Sequence, residues 1–458
     1  MNTILQQELK KILNGRFSQS ESTRLNYSRG EDTYDPILSK AVVFPETNEE
    51  VSKILKLCNE HKVPVVPFGT GTSLEGNVVG NDKGITISLE KMNKILTVNT
   101  QDFDCRVQAC VTREQLNDYL REDGVFFPID PGANAAIGGM ASTSASGTMA
   151  VKYGTMKTVI TGLTVVLPNG DIINTGSRTK KTSAGYNLTN LFIGSEGTLA
   201  VVTKIVLKLI PHPTHDALLL VPFFSAEQAC EAVAAIFRAG ITPSGLEFME
   251  RDALVWAQEF TQDFTIKVED NHEAHLLIEV DGNDAAVIMQ ECESIVAVLE
   301  EFETDEVLFA DSTAQKDGLW SLRRKVSEAV KAQSVYKEED TVVPRYQLPE
   351  LLRTVKEVGR RYGFQSVCYG HAGDGNLHVN IIRGELSEEF WEKGLSNAIR
   401  EIFIRVHELG GTISGEHGIG VVQRPYMDVV FPETTLDLMR SIKKVFDPKG
   451  ILNPGKIF

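Results

Sequence analysis

The chain has 458 residues, and its 62 acidic against 46 basic side chains give it a formal net charge of −16 at pH 7. This balance argues against nucleic acid as a partner, although a cleft with local positive charge can still bind a small anionic substrate. Hydrophobic residues make up 42% and charged residues 24% of the chain, as in an ordinary globular protein, and the length predicts two or three domain-sized units.

The six cysteines are scattered and form no Cys-x-x-Cys pair, which predicts a reduced, intracellular protein without a cysteine-ligated zinc or iron–sulfur cluster. Residues 1–13 carry apolar side chains at helical spacing among mixed charges, which predicts an amphipathic helix rather than a signal peptide. No window has the length of a transmembrane span. We therefore expect a cytoplasmic protein, with peripheral attachment to a membrane left open.

A helix, a strand and a glycine-rich loop follow in order. Thr47 and Glu50 form a capping-box pattern, residues 62–67 predict a short strand, and residues 68–77 form the loop. The loop is not a dinucleotide fingerprint, because that fingerprint opens a helix and the glycines and asparagines of residues 72–84 disfavour one. Its backbone amides can cradle a pyrophosphate instead, with an ordinary structural turn as the alternative.

A second unusual stretch covers residues 127–154, and between Pro131 and Gly147 almost every side chain is small. Small residues let the backbone approach a ligand closely, and Ser142, Thr143 and Ser144 offer hydroxyl groups to it. A flexible linker is the alternative. The strand–turn–strand pattern of residues 163–173, which follows soon after, favours a folded segment that approaches a ligand.

Residues 211–215 contain two prolines and precede a change in the sequence pattern, which predicts a domain boundary. Beyond it, predicted strands at residues 218–221 and 275–280 alternate with a helix that begins after Ser225 and another over residues 284–302. This alternation favours an antiparallel sheet covered by helices on one face.

Residues 366–382 predict a β-hairpin with a Gly-Asp-Gly-Asn turn. Such a hairpin brings His371 and His378 together near the turn and places Asn380 on the same strand face as His378. With Glu416 from a downstream loop, the two imidazoles form a ligand set for a divalent cation that keeps open positions. The alternative is a glycine-rich hairpin whose histidines only make hydrogen bonds.

Two further candidates complete the predicted site. His417 follows Glu416 directly and is then free to act as a base beside the metal. In a predicted helix near residue 320, Arg323 or Arg324 can offer a bidentate fork to a carboxylate, with a solvent-facing charge as the alternative for at least one of them.

With these residues in hand, the chain from about residue 25 onward resembles the FAD-linked oxidases of the vanillyl-alcohol oxidase (PCMH-type) fold. Within them it is similar to the 2-hydroxy-acid dehydrogenases and oxidases, which include D-lactate dehydrogenase of the cytochrome-linked kind, the glycolate oxidase flavin subunit and D-2-hydroxyglutarate dehydrogenase. Besides the four candidate residues His371, His378, Glu416 and His417, the segments that carry the likeness are residues 67–76, 130–132, 145–147, 153–156, 184–188 and 194–198.

The resemblance implies FAD as cofactor and assigns it residues along the first half of the chain and in the tail. These are Pro67, Phe68, Gly69, Thr70, Gly71, Thr72, Ser73, Pro131, Gly132, Ile137, Gly138, Gly139, Ala141, Ser142, Ser144, Gly147, Tyr153, Gly154, Glu196, Gly197, Val202 and Asn453. It also implies a divalent metal, zinc or manganese, on His371, His378 and Glu416, with His417 as the base. Arg323 is implied as the carboxylate-binding arginine, and Asn380 as a further substrate contact.

The expected fold class is α+β. We expect an N-terminal helical segment over residues 1–36, a PCMH-type FAD-binding domain over 37–213 and a substrate (cap) domain with an antiparallel sheet, helices and the metal site over 214–425. A C-terminal helix and tail over 426–458 are expected to return to the flavin site.

Two positions depart from the family pattern. Cys110 stands where glycine is usual near the flavin, so altered packing or a reactive thiol is expected there. Glu338 stands where the D-2-hydroxyglutarate enzymes have a lysine, and an acid there repels a second substrate carboxylate, which favours a monocarboxylate.

The expected activity is therefore oxidation of a D-2-hydroxy acid, D-lactate to pyruvate first, by hydride transfer to flavin N5. A glycolate oxidase flavin subunit and a D-2-hydroxyglutarate dehydrogenase are the alternatives. More distant ones are a non-redox flavoenzyme like alkyl-glycerone-phosphate synthase and a non-catalytic flavin subunit. The electron acceptor stays open among quinone, cytochrome, electron-transfer flavoprotein, an iron–sulfur subunit and oxygen, and the formation of a homodimer stays open as well.

Overall fold

The structure is a computed structural model that describes residues 3–32 and 34–458. Its helices in chain order are α1 Thr3–Leu13, α2 Glu21–Asn26, α3 Asn48–His61, α4 Arg113–Leu120, α5 Ile137–Thr143, α6 Ala150–Tyr153, α7 Met156–Val159, α8 Leu188–Phe192, α9 Ala226–Arg238, α10 Arg251–Thr261, α11 Ala285–Leu299, α12 Thr313–Gln333, α13 Leu348–Tyr362, α14 Leu395–Glu408, α15 Met427–Val430 and α16 Glu433–Phe446. Short 3-10 turns cover Arg345–Gln347, Ala372–Asp374 and Arg424–Tyr426, and a π-helical turn covers Phe390–Gly394.

The strands in chain order are β1 Phe17–Ser18, β2 Val42–Val43, β3 Val65–Phe68, β4 Ile85–Ser88, β5 Ile95–Asn99, β6 Asp104–Gln108, β7 Val125–Phe126, β8 Ile160–Val166, β9 Ile172–Gly176, β10 Val201–Lys208, β11 Ile210–Pro211, β12 His215–Phe223, β13 Gly245–Glu250, β14 Ala274–Gly282, β15 Leu308–Ala310, β16 Tyr336–Val342, β17 Gln365–Gly370 and β18 Asn376–Ile382.

The chain divides into two compact units. The first comprises residues 1–146, 154–212 and 416–458, and the second comprises residues 147–153 and 213–415. One division falls between His212 and Pro213, inside the proline-bearing segment predicted as a boundary. The second unit ends at Gly415, ten residues before the limit predicted for the substrate domain, so Glu416 and His417 belong to the first unit.

In the first unit, one sheet has the strand order β1-β2-β4-β3, in which β2, β4 and β3 are parallel. A second, antiparallel sheet has the order β5-β6-β10-β8-β9. Helix α3 begins as its sequence predicts, because the Thr47 hydroxyl accepts the N–H of Glu50 at 3.2 Å. Its apolar side buries Val51, Ile54 and Leu55 in the core of this unit.

The C-terminal tail extends the first of these sheets. Val65 at the start of β3 donates to the carbonyl of Ile451 at 2.8 Å, and its own carbonyl accepts the N–H of Asn453 at 2.8 Å. Strand β3 leads directly into the glycine-rich loop. Asn453 also contacts the far end of that loop, because its side chain donates to the carbonyl of Asn77 at 2.9 Å.

The second unit is built on a seven-stranded sheet with the order β15-β12-β14-β13-β17-β18-β16, in which every pairing is antiparallel. One face packs against α10 and α12 through Leu218, Leu277 and Met249. Residues one position along the strands, such as Leu219 and Ile278, point to the opposite face and are equally buried. Helices α9, α11 and α13 contact the sheet without sharing that first core.

The expectation of helices on one face is therefore wrong, since both faces of this sheet are covered. The reason lies in strand composition: β12 and β14 are apolar at consecutive positions and do not alternate apolar with polar residues.

The small-residue stretch also forms more regular structure than its composition suggests. Helix α5 buries Ile137, Met140 and Ala141. Its C-cap is Ser144, which has a left-handed backbone (φ 58°).

Candidate active site

The predicted hairpin is present in the second unit as strands β17 and β18, which pair Tyr369 with His378. The rings of His371 and His378 have centroids 5.6 Å apart and planes at 83°. A glycine is required in the turn, because Gly375 has φ +76° and a Cβ there would lie 1.9 Å from the Val343 carbonyl oxygen. The turn thus brings the two imidazoles together.

Strand register decides what surrounds them. Residues directly opposite in an antiparallel pair share a face, and β18 pairs His378 with Asp340 and Asn380 with Glu338. Tyr369 packs in the core against α12, so the side chains of these four residues face α12 as well. Asn380 therefore lies on the same face as His378, as the sequence predicts.

Each of the two imidazoles has a carboxylate at its Nδ1 atom. His371 Nδ1 lies 2.7 Å from Glu247 Oε1, and His378 Nδ1 lies 3.3 Å from Glu338 Oε1. Burial raises the pKa of Glu247, but His371 and Arg323 beside it outweigh that effect, so the pKa lies below its ordinary value. In His371, whose Nδ1 is hydrogen-bonded to Glu247, Nε2 is therefore the nitrogen suited to bind a metal.

The structure separates the two candidate arginines. Arg323 lies on the buried side of α12, with its Nε 2.8 Å and its Nη2 2.5 Å from Glu247 Oε2 and its guanidinium carbon 5.2 Å from the Tyr369 ring centroid. Arg324 is exposed and lies over Trp320 instead. Arg323 therefore stands next to His371 through one shared carboxylate, and Arg324 does not.

The first unit holds the other two candidates. Glu416 Oε2 accepts a hydrogen bond from Ser146 Oγ at 3.1 Å, and His417 Nδ1 lies 3.3 Å from Glu75 Oε1 in a hydrogen bond. Glu75 is 2% exposed and comes from the end of the glycine-rich loop. Its contact with Nδ1 orients the His417 ring.

The loop that carries His417 is held by Glu196. This carboxylate accepts the N–H of Ile419 at 2.7 Å, the N–H of Gly420 at 2.8 Å and the amide of Asn77 at 2.7 Å. Burial raises the pKa of Glu196 above its ordinary value despite these donors. Glu196 was predicted as a flavin contact; its carboxylate accepts from protein donors, its N–H donates to the Ser142 carbonyl at 2.8 Å, and its carbonyl accepts from the Asn453 side chain at 2.7 Å.

Most of the predicted flavin residues lie in the first unit and contain groups that suit a polar ligand. Ser73 Oγ and Asn453 Oδ1 are buried with no hydrogen-bond partner among the described residues. Gly132 and Gly139 have open space where a Cβ would stand. The two small-residue segments are joined, because the Ala136 N–H donates to Thr70 Oγ1 at 3.1 Å. These features fit a cofactor with phosphate and ring oxygens.

Gly147 and Tyr153 are the two predicted flavin residues that belong to the second unit. The Tyr153 hydroxyl donates to Asp281 at 2.5 Å, an interaction the sequence did not predict. Cys110 is buried, and burial raises the pKa of its thiol to about 11, so the reactive thiolate considered for this position is disfavoured.

Glu75 and Glu247 are the residues of this site that the sequence did not single out. Glu75 lies within the glycine-rich motif, where a charged residue among small ones is a usable signal. Glu247 lies in a strand 124 positions before His371 and has no local signal, because only the pairing of β13 with β17 brings it to the hairpin.

Models of two FAD-related protein domains match the chain. The model of the FAD linked oxidases, C-terminal domain, matches residues 212–457, and that of the FAD binding domain matches residues 39–176. The chain belongs to the FAD-linked oxidases. It is an FAD-dependent oxidoreductase with a PCMH-type FAD-binding domain and a C-terminal domain of antiparallel sheet and helices, as the sequence predicted.

Curated relatives extend over almost the whole chain. It is 37% identical to a D-lactate dehydrogenase of Anaerostipes hadrus, covering 93% of this chain and 90% of the relative. It is 39% identical to a D-lactate dehydrogenase of Archaeoglobus fulgidus, with coverage of 91% and 90%. It is 35% identical to the glycolate oxidase subunit GlcD of Bacillus subtilis, with coverage of 96% and 94%.

Solved structures agree at the level of the fold. A p-cresol methylhydroxylase with substrate bound gives a TM-score of 0.81 at 17% identity, covering 99% of this chain and 96% of that one. An alkyldihydroxyacetonephosphate synthase gives a TM-score of 0.74 at 18% identity, with coverage of 99% and 85%. Among the helices of residues 3–32 and 34–458, none has the length and apolar content needed to cross a bilayer.

Proposed function

We propose that this flavoenzyme oxidises a D-2-hydroxy acid, with D-lactate as the first candidate, in a site that binds a divalent metal. The observation that carries the proposal is the pair of imidazoles of the hairpin, each with a carboxylate at Nδ1, next to the buried Arg323. Two imidazoles held in this way suit zinc or manganese, and Arg323 suits a substrate carboxylate. The relatives named D-lactate dehydrogenase and glycolate oxidase subunit support the same substrate class.

The proposed FAD and the proposed divalent ion each supply one kind of chemistry. FAD, when bound, supplies a two-electron acceptor for the hydride that leaves the substrate carbon. A divalent ion on His371, His378 and the proposed third ligand Glu416, when bound, polarises the hydroxyl and carboxylate oxygens of a 2-hydroxy acid. The part of Glu416 rests on the sequence resemblance and on its carboxylate chemistry.

The residues of the chain supply binding and proton transfer. Arg323 binds the substrate carboxylate with the N–H groups that Glu247 does not use, and Asn380, buried on the same face as His378, is a further polar contact. His417 accepts the hydroxyl proton at Nε2, since Nδ1 is held by Glu75. Loss of that proton to His417, together with the hydride that FAD would accept when bound, would convert the alcohol to a ketone.

D-Lactate is preferred over a dicarboxylate because of Glu338. Its carboxylate lies on the same sheet face as Asn380 and 3.3 Å from His378, so it adds negative charge next to the proposed substrate position. Glycolate, as in the glycolate oxidase subunit, is the second candidate, because Glu338 does not distinguish it from D-lactate.

The test mixes the FAD-loaded, metal-loaded protein anaerobically with D-lactate, L-lactate, glycolate and D-2-hydroxyglutarate and follows bleaching of the flavin band. We expect D-lactate to reduce the flavin fastest. Fastest reduction by D-2-hydroxyglutarate would contradict the role given to Glu338. Absence of reduction by all four, in protein shown to hold FAD and metal, would contradict the function.

A further inference from the structure

Glu247 is the buried carboxylate around which the second-unit part of the site is arranged. It lies in β13, an interior strand of the seven-stranded sheet, and is 0% exposed. Met249, two positions along the strand, packs in the apolar core against α10 and α12, so Glu247 points into the same face. A carboxylate in that position is destabilising unless each of its oxygens is paired.

The two oxygens of Glu247 have different partners. Oε1 lies 2.7 Å from Nδ1 of His371, whereas Oε2 accepts from Nε of Arg323 at 2.8 Å and lies 2.5 Å from its Nη2. One oxygen therefore contacts a proposed metal ligand and the other contacts the proposed substrate arginine. These contacts join three elements that are far apart in sequence: β13, α12 and the hairpin turn.

The contact with His371 selects a tautomer. A carboxylate accepts but does not donate, so Nδ1 of His371 carries the hydrogen, and in the neutral ring Nε2 then carries the lone pair. That is the form in which an imidazole binds a metal through Nε2. The contact with Arg323 selects an orientation, because it uses the Nε–Nη2 edge of the guanidinium and leaves Nη1 available.

We propose that Glu247 is a positioning residue that presents Nε2 of His371 to the metal and the free edge of Arg323 to the substrate carboxylate. Metal affinity and substrate affinity are then both set by one side chain that touches neither ligand. The inference rests on the proposed function. A purely structural role, in which Glu247 only neutralises a buried arginine, predicts no change in metal affinity when the contact with His371 is altered.

The first experiment compares Glu247→Gln with Glu250→Gln. His371 and Arg323 contact different oxygens of Glu247, so in the Glu247→Gln variant one of the two faces an NH2 donor, and the negative charge that pairs with Arg323 is lost. Glu250 is a matched control on the same strand: its carboxylate is also largely buried, but it is paired with Lys356 and the N–H of Cys368 and points to the other face. Both variants would be prepared with FAD bound and checked for flavin content and melting temperature.

Zinc affinity is measured by competition with a chromophoric chelator, which is independent of turnover. We expect E247Q to bind zinc about 10–100-fold more weakly than wild type, the usual effect of removing such a carboxylate, and E250Q to bind it as wild type does. At saturating zinc, we expect the KM of E247Q for D-lactate to rise by a larger factor than its kcat falls, because Arg323 has also lost its pairing with a charged carboxylate. Wild-type zinc affinity in E247Q would overturn the proposal.

A second measurement uses the wild type, in case E247Q does not fold. In zinc-loaded protein labelled with ¹⁵N-histidine, with His371 assigned by comparison with H371Q, we expect a hydrogen on Nδ1 and zinc on Nε2. A hydrogen on Nε2 of His371 would overturn the proposal. If wild-type protein binds no zinc and no hydroxy acid reduces its flavin, the proposed function fails with it. If both occur but E247Q keeps its zinc affinity, only the role of Glu247 fails.

Discussion

Three histidines of the candidate site each have a carboxylate beside Nδ1. Glu247 lies 2.7 Å from His371, Glu338 lies 3.3 Å from His378, and Glu75 lies 3.3 Å from His417. All three carboxylates are largely shielded from solvent, so their orientation is set by packing. At the scale of single residues, the Nδ1 hydrogen bonds of His371 and His417 favour Nε2 as the reactive nitrogen of those two rings.

His417→Ala tests the proposed base. We expect flavin reduction by saturating D-lactate to slow by about 10²–10⁴-fold, because proton transfer from the hydroxyl loses its acceptor. The measurement is anaerobic stopped-flow at the flavin band, with FAD and metal content determined for both proteins. A rate within a few-fold of wild type, with both cofactors retained, would show that another group accepts the proton.

Glu338→Gln tests the origin of specificity. We expect the ratio of kcat/KM for D-2-hydroxyglutarate to that for D-lactate to rise roughly tenfold, the size of a repulsion of ~1.4 kcal/mol between two partly shielded charges. Glu338 also lies beside His378, but any change in metal binding affects both substrates and cancels in the ratio. An unchanged ratio would remove Glu338 from the specificity argument.

At the scale of elements, the hairpin and the strands on either side of it position the site. Strand β18 pairs with β17 on one side and β16 on the other, so the register of both pairings fixes the backbone positions of His378 and Asn380 within the sheet. The turn between the strands is tight because Gly375 faces the Val343 carbonyl. The positions of the two imidazoles therefore depend on backbone hydrogen bonding as much as on side-chain contacts.

Gly375→Ala is expected to destabilise the protein more than Gly363→Ala. Both glycines have similar positive φ angles, +76° and +80°, but a Cβ at Gly363 meets open space whereas one at Gly375 would lie 1.9 Å from the Val343 oxygen. We expect the control to cost about 1–2 kcal/mol for the left-handed backbone and Gly375→Ala to cost clearly more. Urea unfolding of both variants measures the difference, and equal destabilisation would contradict it.

Sequence and structure agree where the signal is local. The glycine-rich loop without a following helix, the Thr47 cap and the histidine hairpin depend on neighbouring residues, so composition and spacing are enough to predict them. The same reasoning does not reach Glu247 or the register of β16, because both depend on pairings between distant strands. It also underestimates α5, whose glycines are accommodated because Ile137 and Met140 are buried beside them.

At the scale of the whole molecule, the two predicted binding functions fall largely in different units. All predicted flavin residues except Gly147 and Tyr153 belong to the first unit. Two of the three proposed metal ligands, His371 and His378, belong to the second, and the third, Glu416, belongs to the first. Flavin retention and metal retention are therefore expected to be separable properties of the protein.

Removal of the metal tests this separation. After treatment with a chelator, we expect the protein to retain its FAD, because neither hairpin histidine is a predicted flavin contact, but reduction by D-lactate to be lost. Addition of zinc or manganese is expected to restore it. The measurements are the flavin spectrum after gel filtration and the rate of bleaching; loss of FAD together with the metal would contradict the separation.

The parity of the hairpin strands also constrains how the length of this protein can vary. His378 and Asn380 share one face of β18, and Leu377 and Val379 occupy the other. One residue inserted between Gly375 and His378 would exchange those faces and bury the imidazole among apolar helices, while the ligand position received a valine or leucine. Insertion or deletion of a single residue is therefore expected to be tolerated at surface turns and not within this segment.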